Sequence, residues 1–282
     1  MHVLRVGRYR ILEHLGRGAS ADVYLAEDTT LHRKVALKLL RERDADPLQI
    51  VRFEREAISA SMLNHPNVVT VFDVGSEDGV RFIATEYVEG ETLRQRMDRA
   101  PIAPAEAIDV ALGVVAALVA AHEAWLVHRD VKPENIMLRR DHGIKVLDFG
   151  VATLVGGGDA TDPLRRPGAL VGTLHYLSPE QVRGEPIIDT RSDIYSLGVV
   201  LYEMLARHAP FEGETPIDVL AAIVESAPRP MPPHVPAALR EIVEKAMRKS
   251  IYERWQTASE LCDRLFDVRL EETIRARTAR IA

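Results

Sequence analysis

"HRDVKPEN", residues His128–Asn135, crowds Arg129, Asp130, Lys132 and Glu134 against Asn135 within eight positions. It follows closely on "VALGVVAALVAA", Val110–Ala121, the most apolar run in the chain, which reads as a helix buried inside a domain. Charge packed this densely after so apolar a helix has two readings. One is a polar surface loop between a helix and a strand. The other is a loop that handles the charge of a reaction, and the stretches on either side decide between them.

Upstream, "LGRGASADV" places Gly16 and Gly18 in a turn between two strand-like segments. Glycine lets a backbone approach phosphates closely. A dinucleotide site would need a helix directly after the glycines, but the strand-like "DVYLAE" follows. Strand, glycine turn, strand fits a flap folded over a nucleotide, with an ordinary hairpin as the plain alternative. "VALK" sets Lys38 in the middle of an apolar strand, where a lysine needs an anion or a route to solvent. Glu56, in the following helix, is a candidate partner. Downstream, "IKVLDFGVA" puts Asp148 at a strand end. A carboxylate there suits a Mg²⁺ ion that bridges phosphates, and Asn135 offers a second oxygen.

The chain of 282 residues has room for one large domain or two lobes around a cleft, and its formal charge of −6 argues against a general nucleic-acid binder. A single cysteine, Cys262, fits a reducing cytosol and reads as a small core residue. The ten histidines form no cluster at zinc-ligand spacing. No signal peptide is visible, and the apolar run ending at Ala121 falls short of the ~20 residues of a membrane span.

Strands are expected at Tyr9–Gly18, Ala21–Asp28 and Arg33–Leu40, a helix over Pro47–His65, and a hairpin turning at Glu77–Gly79. The pattern then becomes helical. It runs over Pro104–Trp125, over Ser192–Ala206 behind a Ser/Asp cap signal, and over two amphipathic segments within Pro236–Ser250 and Thr257–Leu270.

"GRGASADV", "VALK", Glu56, "HRDVKPEN", "DFG" and "SPE" stand in the order and approximate spacing of the protein-kinase signature set. The sequence resembles the bacterial eukaryotic-like serine/threonine protein kinases over roughly Tyr9–Phe266. "GTLHYLSPEQVRG" and "RSDIYSLGVVLYEML" are especially similar to that branch.

The resemblance implies an α+β, two-lobed fold: a small antiparallel lobe over 8–88, a larger helical lobe over 89–267, and a tail or linker over 268–282. It implies transfer of the γ-phosphoryl group of ATP to serine and threonine hydroxyls of proteins, autophosphorylation included, with Mg²⁺ or alternatively Mn²⁺. Asp130 would orient the acceptor hydroxyl and take its proton, Lys132 would neutralise the transferring phosphoryl group, and Lys38 would bind the α/β-phosphates and pair with Glu56. Asn135 and Asp148 would hold the metal. Leu15, Gly16, Gly18, Val23, Ala36 and Met137 would enclose the nucleotide. Glu86 and Val88 would offer backbone groups to the adenine edge, with Thr85 at the back of the pocket. Arg129 would tie the loop to the activation segment and His128 would pack beneath Phe149. Asp193 would hold the loop's backbone, and Glu180 with Arg254 would form a buried ion pair. No nucleic acid and no membrane span are implied for this chain. A cytoplasmic setting is implied, and a homodimer is allowed, although no residue marks its interface.

Departures are few. Ala21 replaces the third flap glycine, Ser20 takes the flap tip, and "SPE" stands for "APE". The larger departure is "LRRPGA" in the activation segment, where relatives often carry paired threonines. Thr161 is then the regulatory phosphosite to consider, with Arg165 and Arg166 as fixed positive charges. The complete residue set favours an enzyme over a pseudokinase scaffold, and "GTLHYLSPE" favours a protein substrate over a small molecule.

Overall fold

The computed structural model describes residues 4–18, 21–41, 47–149, 153–154 and 174–281. Strands β1 (Arg5–Val6), β2 (Tyr9–Arg17), β3 (Ala21–Asp28) and β4 (Arg33–Leu40) are followed by helix α1 (Pro47–Ser61) and strands β5 (Val71–Glu77) and β6 (Val80–Glu86). They form one antiparallel sheet in the order β1-β2-β3-β4-β6-β5. The β5–β6 turn is built on Asp78 and Gly79, both at positive φ, a conformation that glycine and aspartate tolerate best.

Alternation along β4 decides which side chains meet each face of the sheet. Val35 and Leu37 join Tyr9, Ala26, Phe82 and Ala84 in a core on one face. On the other face Leu40 packs with Ala21 and Ile83 against Phe53 and Ala57 of α1.

The second lobe begins with β7 (Gly90–Thr92), α2 (Leu93–Arg99) and α3 (Pro104–Glu123). After β8 (Leu126–Val127), a 3₁₀ turn at Pro133–Asn135 leads into β9 (Ile136–Arg139), β10 (Ile144–Val146) and β11 (Thr153–Leu154). Helices α4 (Pro179–Val182), α5 (Arg191–Ala206), α6 (Pro216–Glu225), α7 (Ala237–Ala246) and α8 (Ala258–Ile281) complete it. A single core gathers α3, α5, α7 and α8, with Phe149 fully buried in it.

Helix α3 ends at Glu123, two residues short of the expected Trp125, because Trp125 turns to φ 60°. At 20 residues α3 is long and apolar enough to cross a membrane by length and composition, although the uninterrupted apolar run within it, Val110–Ala121, is shorter. Its Ile108, Val114, Val115 and Leu118 are nonetheless fully buried in the lobe. Gly113 lets β10 lie close to α3, since a Cβ there would meet the Ile144 side chain at 2.6 Å. That closeness fixes the strand from which Asp148 projects. Helix α8 runs through the expected boundary after residue 267, with Arg269 bonded to Asp109 of α3 at 2.6 Å.

Candidate active site

Sheet register brings the expected nucleotide-pocket residues onto one face. Gly16 lies opposite Val23 and Val23 opposite Lys38, while Ala36 lies opposite both Leu25 and Thr85. Directly opposed residues of antiparallel strands point to the same side, so Val23, Ala36, Lys38 and Thr85 share it. Gly18 closes the flap turn by donating its N–H to the Ala21 carbonyl at 2.8 Å. Ala21 is buried within extended β3, which explains why alanine serves in place of the third glycine. Leu15 is exposed on β2 and Met137 half-buried on β9. Beyond the pocket, Val88 is buried, and Lys145 reaches the Glu86 carboxylate at 2.7 Å from β10.

The catalytic-loop residues are held from below. Asp193 is fully buried and accepts the His128 N–H at 2.8 Å and the Arg129 N–H at 2.7 Å, and the His122 ring lies 2.9 Å from it. Burial works to raise its pKa, but the His122 contact and the backbone donors prevail and hold it below the usual carboxylate range. The expected Ser/Asp cap is therefore corrected. Helix α5 starts at Arg191, Thr190 makes no side-chain cap, and Asp193 lies inside the helix facing the loop. Ser192 donates to Glu180 instead.

His128 has both ring nitrogens engaged. Nε2–H donates to the Leu147 carbonyl at 3.0 Å and Nδ1 accepts the Asp130 N–H at 3.2 Å. Its ring lies 4.5 Å from that of Phe149, centroid to centroid. Gln181, set by a capping box with Ser178, donates to the Arg129 carbonyl at 2.9 Å. Glu180 and Arg254 form a buried two-pronged pair at 2.7 Å on each prong.

On this platform the Asp130 carboxylate receives Lys132 Nζ at 2.8 Å and Asn135 Nδ2 at 3.1 Å. Across the cleft Lys38 Nζ donates to Asp148 Oδ1 at 3.1 Å. Arg129 and Asp148, both non-glycine, take positive φ of 65° and 52°. Such conformations cost energy and collect at functional sites.

The side chain of Glu56, and residues Gly150, Ser20, Thr161, Arg165, Arg166 and Thr173, lie outside the described residues. Arg129 donates to the Ile188 carbonyl at 3.3 Å; the 155–173 stretch it was expected to engage is likewise outside. Sequence reasoning missed four residues that support the site: His122, Lys145, Gln181 and Arg94. His122 closes the apolar run four positions after Leu118, and a polar residue ending so apolar a stretch was the available signal. Gln181 follows "SPE" at the third position of a Ser-x-x-Gln capping box, which is also legible.

The family model for the protein kinase domain matches residues 9–266. The chain is 42% identical over 261 residues to a serine/threonine-protein kinase PrkC of Bacillus subtilis, covering 90% of this chain and 39% of that protein. It is 43% identical over 265 residues to a serine/threonine-protein kinase PknB of Mycolicibacterium smegmatis, covering 90% of this chain and 42% of that protein. The PknB of Mycobacterium tuberculosis H37Ra is 42% identical over 263 residues. The chain thus spans about two fifths of the length of these curated relatives. With the family model matching nearly its whole length, and with two lobes meeting at Lys38 and Asp148, the chain belongs to the protein kinase domain family.

Proposed function

We propose that this chain transfers the γ-phosphoryl group of ATP to serine and threonine hydroxyls of protein substrates, itself included, through a catalytic unit spanning residues 8–267. The observations that support the reading are the bonds of Lys132 and Asn135 to Asp130, the Lys38–Asp148 pair, and the Leu147 N–H on the Asn135 carbonyl at 2.8 Å, which ties the two stretches together. Asp130 orients the acceptor hydroxyl and takes its proton. Lys132 sits beside it to offset charge on the moving phosphoryl group. Lys38 anchors the α/β-phosphates and pairs with Glu56. The flap from Leu15 to Gly18 covers the nucleotide, Val23, Ala36 and Met137 line its adenine, and Thr85, Glu86 and Val88 form the pocket's back and edge.

The donor set fits a hard divalent cation. Mg²⁺ takes few protein oxygens and completes its shell with phosphates and water, so two side chains suffice to hold it. Asn135 spends its amide N–H₂ on Asp130, which leaves its carbonyl oxygen for a cation. The Asp148 carboxylate is about half exposed, at 48%. Asn135 and Asp148 would hold a divalent cation there, Mg²⁺ or alternatively Mn²⁺, which would supply positive charge to the phosphates. The lone Cys262 has its thiol pKa raised by burial, which suits an unreactive side chain in a reducing, cytoplasmic setting.

The test is incubation of the purified chain with labelled ATP and Mg²⁺, with and without a general protein substrate, followed by mapping of the labelled residues. Phosphoserine and phosphothreonine are expected. Nucleotide binding with no label on any protein would instead identify a scaffold.

A further inference from the structure

Arg94, in the first turn of α2, links Glu134 of the candidate catalytic loop to Tyr176 and to Glu203 of α5. Its Nε donates to Glu134 at 3.0 Å, its Nη1 to Glu203 of α5 at 2.9 Å, and its Nη2 to Glu203 at 3.3 Å and to the Tyr176 hydroxyl. The Tyr176 hydroxyl in turn donates to Glu203, and Asp98 lies 4.0 Å from Nη1. Glu134 is four residues past Asp130 in the same loop, and Tyr176 belongs to the turn expected to dock a peptide. Two carboxylates, Glu134 of the same loop as Asp130 and Glu203 of α5, are thus joined through Arg94 to Tyr176. The cluster remains open to solvent at its rim, with side-chain exposures of 27% for Arg94 and 46% for Glu134. Burial opposes the Arg94 charge, but the hydrogen bonds and charges of Glu203, Tyr176 and Glu134 outweigh it and keep the guanidinium protonated.

A carboxylate pair at the rim of a peptide site recruits a cation, and a guanidinium satisfies it best because its donors match carboxylates in pairs. Here the protein supplies that guanidinium itself. We propose that Arg94 is a specificity-determining residue: it occupies the place that an arginine of a substrate would take, so this kinase does not select basic residues beside the acceptor. The inference rests on the phosphoryl-transfer reading above and deepens it.

The experiment is an arrayed peptide library with Ser/Thr acceptors and single-residue variation at flanking positions, phosphorylated by wild type, Arg94→Ala, Arg94→Ala with Glu203→Gln, and Glu134→Gln. The wild-type profile separates the two claims. No labelled peptide at all contradicts the transfer reading. Labelling with arginine already strongly selected at a flanking position contradicts the role of Arg94. In Arg94→Ala, arginine at one flanking position is expected to gain about tenfold over alanine in kcat/KM. The double variant should lose that acquired preference, which a strut with no part in selection would not produce. Glu134→Gln changes only the more exposed carboxylate and keeps the inference testable if Arg94→Ala fails to fold. It should shift the profile toward acidic residues, about threefold, because it leaves the site one charge more positive. Parental profiles in Arg94→Ala, or in Glu134→Gln where Arg94→Ala does not fold, would overturn the proposal.

Discussion

The two walls of the cleft are held in opposite ways. On the large-lobe side the catalytic loop is fixed by fully enclosed polar groups: Asp193 beneath His128 and Arg129, Gln181 on the Arg129 carbonyl, and the Glu180–Arg254 pair behind them. On the other side Lys38, from the small lobe, reaches over to Asp148 of the large lobe at 3.1 Å, and 19% and 48% of their side chains are exposed. The difference teaches where rigidity is needed. In the proposed reaction, a base that orients a hydroxyl needs a backbone that cannot shift, since small misplacements of reacting groups are costly. Groups proposed to hold a nucleotide and a metal must let them enter and leave, and an open ion pair permits this.

If that contrast is right, stability should respond very unequally to the two walls. The largest loss is expected from Arg254→Met, which strands the Glu180 carboxylate inside the lobe. Breaking one partner of a buried pair costs about 3–5 kcal/mol, readable in urea denaturation. Asp193→Ala should come next. It leaves two enclosed backbone N–H groups without an acceptor, a cost of about 3 kcal/mol, and transfer should fall with it because the loop loses its floor.

The same contrast predicts the acid limb of the stability curve. Burial pushes Glu180 and Asp193 upward, but Arg254 for the first and His122 with the loop amides for the second prevail, so both titrate below their ordinary values of 4.5 and 3.8. A carboxylate depressed in the fold contributes stability above its unfolded value and loses it as the pH falls through the folded one. Urea midpoints should therefore drop below about pH 4.5. In Arg254→Met the stranded Glu180 is no longer depressed, and the midpoint should depend less on acid. An identical acid limb in both proteins would break the assignment.

The smallest stability effect is expected from Lys38→Met. Its partner Asp148 is half exposed, and such pairs contribute no more than about 1 kcal/mol. Transfer should nevertheless be lost, because the lysine proposed to anchor the phosphates is gone. A large drop in denaturation midpoint would mean that this wall is structural too.

Legibility in the sequence divides along similar lines. The three flap-side strands were readable almost to the residue because alternation survives wherever one face of a strand is buried and the other is not. Lys38, Asp130, Asn135 and Asp148 could be proposed from the sequence because the residues that carry the resemblance stand in contiguous motifs. The supports were harder to find. His122, Lys145 and Arg94 act on residues 71, 59 and 109 positions away respectively, through Asp193, Glu86 and Glu203. No local pattern encodes such pairings. The Ser192–Asp193 cap was misplaced because the same side chains that cap helices also bond to distant backbone once a helix is buried. Trp125 ended α3 early through a backbone turn that its residue type does not announce.

The central claim, that the rigid wall exists to hold Asp130 in place for phosphoryl transfer, is tested most directly by Asp130→Asn. Nucleotide affinity and transfer rate should be measured on the same preparation. The carboxamide keeps the side chain's size and loses the proton acceptor. Transfer should fall by about 100-fold or more, while ATP affinity with Mg²⁺ stays within about threefold of wild type, because Lys38, Asn135 and Asp148 are untouched. Transfer at the parental rate would contradict the account.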